Sequence, residues 1–284
     1  MKFLSNLGCM QGRLSPMINN KIQSFPTRYW EEEFSHAKKL GLKFIEWTLD
    51  YNQIFTNPIF IKKKNQLIRK LSQKYSIKIK SLTGDCFMQN PFWKKKNHKK
   101  EVSDLKKIIQ ACSNLGIKFI VVPLVDNGSL QELWHEKKLI IIFNSLINFL
   151  KKKNIIILFE SDYDPKRLQN FIKKFNSDFF GINYDTGNSA ALGFDIKKEF
   201  YYYGNFIKGV HIKDRVLGGK TVRLGEGNVN FKMFFRLLKS IKYKNHIIFQ
   251  TARSENNKDV QEMKINLKYI SKIIKNNQCL IKKK

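Results

Sequence analysis

Residues 155–214 repeat one pattern three times. Ile155-Ile156-Ile157-Leu158-Phe159-Glu160 is an apolar run that ends on a carboxylate. A helical segment at Pro165–Phe175 leads to Phe180-Gly181-Ile182-Asn183-Tyr184-Asp185, which ends on a second carboxylate. Another at Ile196–Tyr203 leads to Gly209-Val210-His211-Ile212-Lys213-Asp214. Short β-branched runs separated by longer helical patterns are the mark of βαβ units and a parallel sheet.

The same unit extends in both directions. Strands are expected at Leu4–Met10, Phe44–Leu49, Lys78–Asp85, Phe119–Val125, Ile155–Glu160, Phe180–Asp185, Gly209–Asp214 and Ile247–Thr251. The helical segments are Trp30–Leu40, with Phe34, Ala37 and Leu40 on one face, then Phe60–Tyr75, Lys99–Leu115 and Leu130–Lys152. Pro165–Phe175, Ile196–Tyr203, Phe231–Ile241 and Asp259–Lys275 complete the series. Leu40-Gly41 and Leu115-Gly116 place a glycine where a helix should stop. Eight strands, each followed by a helix, predict an α/β fold, a (β/α)8 barrel formed by residues 1–284 as a single domain. Two doubly wound domains also alternate strand and helix, but no composition break divides the chain. Lys151–Lys153 reads as the end of the fourth helix rather than a linker.

The chain has 284 residues, 42% of them hydrophobic, enough for a sizeable core. Its net charge of +30 points at first to a nucleic-acid partner. Of the 53 basic residues, however, only 8 are Arg, and the lysines are scattered, often as pairs or triples such as Lys62–Lys64. Lysine is the weaker residue for bidentate phosphate recognition. The charge therefore reads as a solvated lysine surface. Cys9, Cys86, Cys112 and Cys279 show no CxxC spacing, as expected of a reduced, cytoplasmic protein. The N-terminal residues have no sustained apolar run of the secretory kind. The longest apolar stretch, Leu139–Leu150, is interrupted by Asn144, Ser145 and Asn148 and falls short of the ~20 residues a membrane span needs.

In such a barrel, chemistry sits where strands end. Glu46 ends the second strand, Asp85 the third, Glu160 the fifth and Asp185 the sixth. The seventh carries His211, Lys213 and Arg215, and the eighth carries Gln250. Residues two apart share a strand face, so Glu160 follows Ile156 and Leu158, and Asp185 follows Gly181 and Asn183. If those faces line the lumen, Glu160, Asp185, His211 and Gln250 converge from four consecutive strands. Two carboxylates, an imidazole and an amide carbonyl suit a divalent cation. Glu46 and Asp85 read equally as substrate contacts or local caps, and Asp185-Thr186-Gly187-Asn188 alone reads as an Asx turn.

Four segments carry a family resemblance. They are Gly8-Cys9-Met10-Gln11-Gly12-Arg13-Leu14-Ser15-Pro16, Ile45-Glu46-Trp47, His211-Ile212-Lys213-Asp214-Arg215 and Gly225-Glu226-Gly227-Asn228-Val229-Asn230-Phe231. Together they resemble the sugar phosphate isomerase/epimerase group of xylose isomerase-like TIM barrels. The resemblance implies one divalent metal ion (manganese, magnesium, cobalt or zinc) held at Glu160, Asp185, His211 and Gln250. It also implies acid–base chemistry at the two glutamate positions of that set, which fall on Glu160 and Gln250, and Arg215 on substrate oxygens. Asn188 and Glu226 join Glu46, Asp85 and Arg215 as expected substrate contacts.

Two positions depart from the pattern. Gln250 stands where the group has Glu, and Asn188 where many relatives have His. A glutamine carbonyl can hold a metal but cannot take a proton. Glu160 is then the surviving base, with Lys213, Asp214 or Glu226 to supply a second proton transfer. One-base aldose–ketose isomerisation fits this set better than two-face epimerisation. The expected reaction is proton abstraction α to a carbonyl of a small sugar or sugar phosphate, through a metal-stabilised enediolate. A phosphate would meet Arg13, Arg215, Arg223 or Lys213.

Two other classes fit the same barrel. A metal-dependent endonuclease of the same barrel ancestry needs several metals and many histidines, and only His211 of the five lies at a strand end. A degenerate, non-catalytic sugar-binding barrel would carry changes such as Gln250 and Asn188. Phe87, Phe92 and Trp93 read either as a stacking surface for a sugar or as rim packing. Barrels of this kind often pair, so a homo-oligomer is expected, with no interface assigned.

Overall fold

The computed structural model describes residues 3–254 and 256–279, with the backbone alone for Gln278 and Cys279. Its strands are β1 (Leu7–Met10), β2 (Phe44–Thr48), β3 (Lys78–Thr83), β4 (Phe119–Leu124), β5 (Ile156–Ser161), β6 (Phe180–Asp185) and β7 (Ile207–Ile212). A short antiparallel hairpin, β8 (Asp214–Arg215) with β9 (Thr221–Val222), follows, and β10 (Ile247–Phe249) is the last. The barrel closes in the order β1-β10-β7-β6-β5-β4-β3-β2, and every barrel pair is parallel. The (β/α)8 expectation is met.

The helices are α1 (Glu32–Lys39), α2 (Lys62–Tyr75), α3 (Asp85–Gln89), α4 (Lys99–Leu115), α5 (Leu133–Ser145) and α6 (Ile147–Lys153). They continue with α7 (Pro165–Ile172), α8 (Thr186–Ala191), α9 (Ile196–Tyr203), α10 (Phe231–Ser240) and α11 (Asp259–Cys279). Gly41 and Gly116 stop α1 and α4 at φ of +76° and +72°, a region open to glycine without Cβ strain.

Apolar side chains fill two compartments. The larger lies between strands and helices, where Phe143, Phe159, Phe171 and Phe180 pack edge to face or stacked. The smaller is the lumen, filled by Phe119, Val121 and Leu158. Below them His246 bonds Ser81 Oγ at 2.8 Å and lies against the rings of Phe44 and Phe119. Burial pushes this imidazole down to about 4, so it is neutral and structural. Leu158 in the lumen sets the parity of β5 and points Glu160, two residues on, into the same space.

Several boundaries differ from the sequence reading. Residues Phe3–Asn6 form a 3-10 turn, so β1 starts at Leu7. The long segment Leu130–Lys152 is two helices, broken at Leu146. Ser145 turns its hydroxyl back onto the Ile142 carbonyl at 2.7 Å, which competes with the helix ladder there. The third strand stops at Thr83, and Asp85 opens α3. Phe87, Phe92 and Trp93 are buried rather than presented as a stacking surface, and Trp93 Nε1 donates to the Gly128 carbonyl at 3.1 Å. Cys9, Cys86 and Cys112 are buried free thiols. Among the described residues, no helix is long and apolar enough to cross a membrane.

The β1–α1 loop is held by a buried carboxylate the sequence reading did not single out. Glu33 Oε1 accepts from Gly12 N (2.8 Å), Leu14 N (3.1 Å) and Ser15 Oγ (2.9 Å). Burial pushes Glu33 up to about 7, against those hydrogen bonds, which pull it down. The folded chain therefore holds this proton more tightly than the unfolded chain. That contribution to stability is complete below the usual carboxylate range and is lost as pH rises towards 7. Glu33→Gln keeps the accepting oxygen and cannot ionise. Its stability relative to the parent should improve by up to about 3 kcal/mol between pH 4 and pH 8, measured by denaturant unfolding. A pH-independent difference would contradict this.

Candidate active site

Barrel closure brings His211 of β7 between two carboxylates that come from other strands. Its Nε2 is 2.7 Å from Glu46 Oε1 of β2, across the lumen. Its Nδ1 is 3.1 Å from Glu160 Oε2 of β5. Thr83 Oγ1 donates to the same Glu46 oxygen at 2.6 Å. All three ionisable groups are buried. Burial disfavours the imidazolium, but the Glu46 and Glu160 charges outweigh it and raise His211 to about 10. Burial likewise pushes both glutamates up, and the His211 charge and hydrogen bonds bring them below the usual carboxylate range.

An ionised carboxylate only accepts, so Glu46 fixes a proton on Nε2. Nδ1 is then the nitrogen that faces Glu160. The amide nitrogens of Asn183 and Asn188 donate to the two Glu160 oxygens at 2.8 and 2.9 Å. Asn183 shares the inward face of β6 with Asp185 and is a member of the site that the expected ligand set left out.

Asp185 ends β6 and pairs in register with His211. Its Oδ1 accepts from Gly187 N and Asn188 N and so caps α8, as the Asx reading foresaw. Its Oδ2 is 2.7 Å from Lys213 Nζ. Burial raises Asp185 above its usual value, and Lys213 offsets part of that. Lys213 Nζ also reaches Gln250 Oε1 at 3.3 Å, so Gln250 meets the cluster through Lys213.

The structure does not bring every expected residue together. Asn188 Oδ1 accepts from Arg215 at 2.9 Å, and Arg215 also grips the Gly219 carbonyl of the hairpin. Glu226 points away: its side chain is 58% exposed and pairs with Arg223 at 3.7 Å. It is therefore corrected as a substrate contact and as a second proton group. Asp214 leaves that role as well. It is fully buried, and its oxygens accept from Gly225 N, Gly227 N and Val229 N. A Cβ at Gly227 would lie 2.2 Å from Asp214 Oδ1, which is why the Gly225-Glu226-Gly227 segment carries glycine there. Arg223 is on the outer face, tied to Glu262 at 2.7 Å.

Above the cluster opens a cavity of about 400 Å³. Glu160, Asn188, Lys213, Arg215 and Gln250 line it, together with Asp85 and Arg13. Gln23, Asp126, Lys220 and Thr221 also line it and come from segments with no periodic signal in the sequence.

Glu160, Asp185 and His211 each offer one donor atom, and these lie within 4.8 Å of one another. Asp185 Oδ2 and His211 Nδ1 are buried and receive no directed hydrogen bond, although an ion-pair partner is close to each. Two carboxylates and an imidazole with donor atoms this close together fit a divalent cation of the zinc, manganese or magnesium kind, at a place where Lys213 Nζ now supplies the positive charge against Asp185 Oδ2. Glu46 would orient the imidazole from behind, as outer-shell carboxylates do at metal-bound histidines.

Fold and site together define a barrel enzyme scaffold with an acidic, histidine-bearing centre at the strand ends. The model of the xylose isomerase-like TIM-barrel family matches residues 34–273, and the chain belongs to that family. It is 25% identical over 256 residues to a Haemophilus influenzae protein assigned as L-ribulose-5-phosphate 3-epimerase SgbU, covering 82% of this chain and 87% of that one. Two solved structures share the fold. A D-allulose 3-epimerase from Methylomonas sp. aligns with a TM-score of 0.74 at 18% identity, over 94% of this chain and 97% of its own. A zinc-bound IOLI protein aligns with a TM-score of 0.73 at 18% identity, over 93% and 97%.

A cation at His211 Nδ1 must displace the proton that the two glutamates hold there. Binding of Zn²⁺ or Mn²⁺ near neutral pH should release about one proton, read by calorimetry in two buffers of different ionisation enthalpy. Uptake independent of the buffer would count against His211 as a ligand.

Proposed function

We propose that this protein is a metal-dependent isomerase or epimerase of a small sugar or sugar phosphate that works by removing a proton α to a carbonyl. The observation that carries the reading is the buried Glu160–His211–Asp185 cluster, whose Glu160 lines a cavity at the strand ends. A divalent ion held by these residues, with Gln250 as the fourth group, would polarise the carbonyl and make the α-proton acidic enough to remove.

The chain's own residues supply the rest. Glu160 is held ionised by His211, Lys213 and Asn183, so it is ready to accept a proton at neutral pH. Gln250 cannot take one. With Asp214 buried under backbone amides and Glu226 outside, Lys213 is the second proton group of this reading. It lies between Asp185 and Gln250, and its side chain is 12% exposed. One carboxylate base with one ammonium suits transfer between neighbouring carbons of an enediolate. It also serves 3-epimerisation if Lys213 delivers from the opposite face. Arg215, braced by Asn188 and Gly219, presents its guanidinium to substrate oxygens.

The cavity carries several basic groups at the hairpin side. Lys213, Arg215 and Lys220 lie on or beyond β7, while Asp85 and Asp126 follow β3 and β4 on the far side of the ring. A sugar with an anionic end fits with that end against the hairpin and its hydroxyls against the carboxylates. This arrangement supports a phosphorylated substrate, the kind named for the Haemophilus influenzae relative.

With the metal supplied, a ketose or ketose phosphate that is turned over in D2O should take up deuterium at the carbon next to the carbonyl, read by NMR. Glu160→Gln should cut that exchange by about 10²–10⁴. Full exchange in the variant would remove Glu160 from the mechanism. Tight sugar binding with no exchange in the parent would favour a non-catalytic barrel. Lys220→Met should raise KM for a phosphorylated substrate about tenfold and leave the unphosphorylated sugar unaffected. An equal effect on both would place the anion elsewhere.

A further inference from the structure

A chain of polar contacts crosses the mouth of the cavity, and one member has no role in the reading above. Lys213 Nζ donates to Gln250 Oε1 (3.3 Å), and Gln250 Nε2 donates to Gln23 Oε1 (2.7 Å). Gln23 Nε2 donates to both oxygens of Asp85, at 2.8 and 2.7 Å. Arg13 adds a hydrogen bond to Gln23 Oε1 at 3.2 Å. Gln23 thus donates to the end of one wall and accepts from another, as a sugar hydroxyl does.

The backbone around Gln23 is fixed. Arg13 donates to the Ile22 carbonyl at 3.1 Å and to the Thr251 carbonyl at 2.9 Å. Two residues on, Phe25 N donates to Asp50 Oδ2 at 2.7 Å. A side chain held on both flanks is a wall of the cavity rather than a mobile flap. Both Asp85 and Gln250 face the cavity, and Gln23 engages each of them. A hydroxylated chain long enough to reach that side must compete with its amide for both groups.

We propose that Gln23 determines specificity by setting the length of carbon chain the cavity accepts, standing where the terminal hydroxyls of a longer sugar would meet Asp85 and Gln250. The inference rests on the reading of the cavity as a sugar site. Gln23→Ala removes the wall and frees both partners. Gln23→Asn keeps the amide and withdraws it by one methylene, so it should act in the same direction and more weakly.

The test measures both turnover and binding in the metal-supplied protein. For turnover, kcat/KM is compared across four-, five- and six-carbon ketoses. For binding, calorimetry follows the corresponding unreactive sugar alcohols. Gln23→Ala should shift the six- to four-carbon ratio towards the longer chain by about tenfold in both series, mainly through KM, with melting temperature as a check on folding. An unchanged ratio in both variants contradicts the proposal, as does failure of any sugar alcohol to bind either protein. A shifted binding ratio in a protein that turns over none of the ketoses would leave Gln23 in this role and sink the catalytic reading instead.

Discussion

The site depends on one row of buried charge: a carboxylate, an imidazole and a second carboxylate, Glu46, His211 and Glu160. None of the three comes from a strand adjacent to another's, so only closure of the barrel brings them together. Removing one partner would strand the others away from water, a change that typically costs ~3–5 kcal/mol. The row also fixes the imidazole: Glu46 accepts a hydrogen bond from Nε2–H, which turns Nδ1 towards Glu160. In the proposed function, metal affinity, proton release and the ionised state of the base would all follow from that orientation.

The neighbours of Gln250 explain why an amide stands there. With Lys213 on one side and Gln23 on the other, the residue at 250 must accept from an ammonium and donate to an amide oxygen. Glutamine does both. A glutamate would set two acceptors face to face at Gln23 unless that amide turned over and lost its contact with Asp85. Position 250 and the β1–α1 loop are thus matched, and the amide at 250 reads as part of how the mouth is built. In the proposed reaction the second proton group is Lys213, which lies beside Asp185.

Much of this arrangement was legible in the sequence, for a physical reason. Parallel strands buried on both faces are written as β-branched runs, and a polar residue that breaks such a run at its end stands out, as Glu160, Asp185 and His211 do. Period-2 alternation then assigns the inward face. Other parts follow no periodicity. Gln23 lies in a loop whose course depends on anchors such as Glu33 and Arg13, and Lys220 in a turn held by Arg215. The two-residue strands β8 and β9 are too short to register as a pattern. Asp214 and Glu226 were misplaced because adjacency in a motif does not reveal direction: Asp214 turns inward under the backbone amides of the glycine segment, and Glu226 turns out beside Arg223.

The central claim is that Glu160, Asp185 and His211 hold a metal ion. It is tested most directly by elemental analysis of the purified protein beside an Asp185→Asn, His211→Asn double variant, after exposure of both to manganese, magnesium, cobalt and zinc. The account predicts about one divalent ion per parent chain and none in the variant, with the barrel's circular dichroism retained. A parent chain that retains no ion under any of the four metals would contradict it.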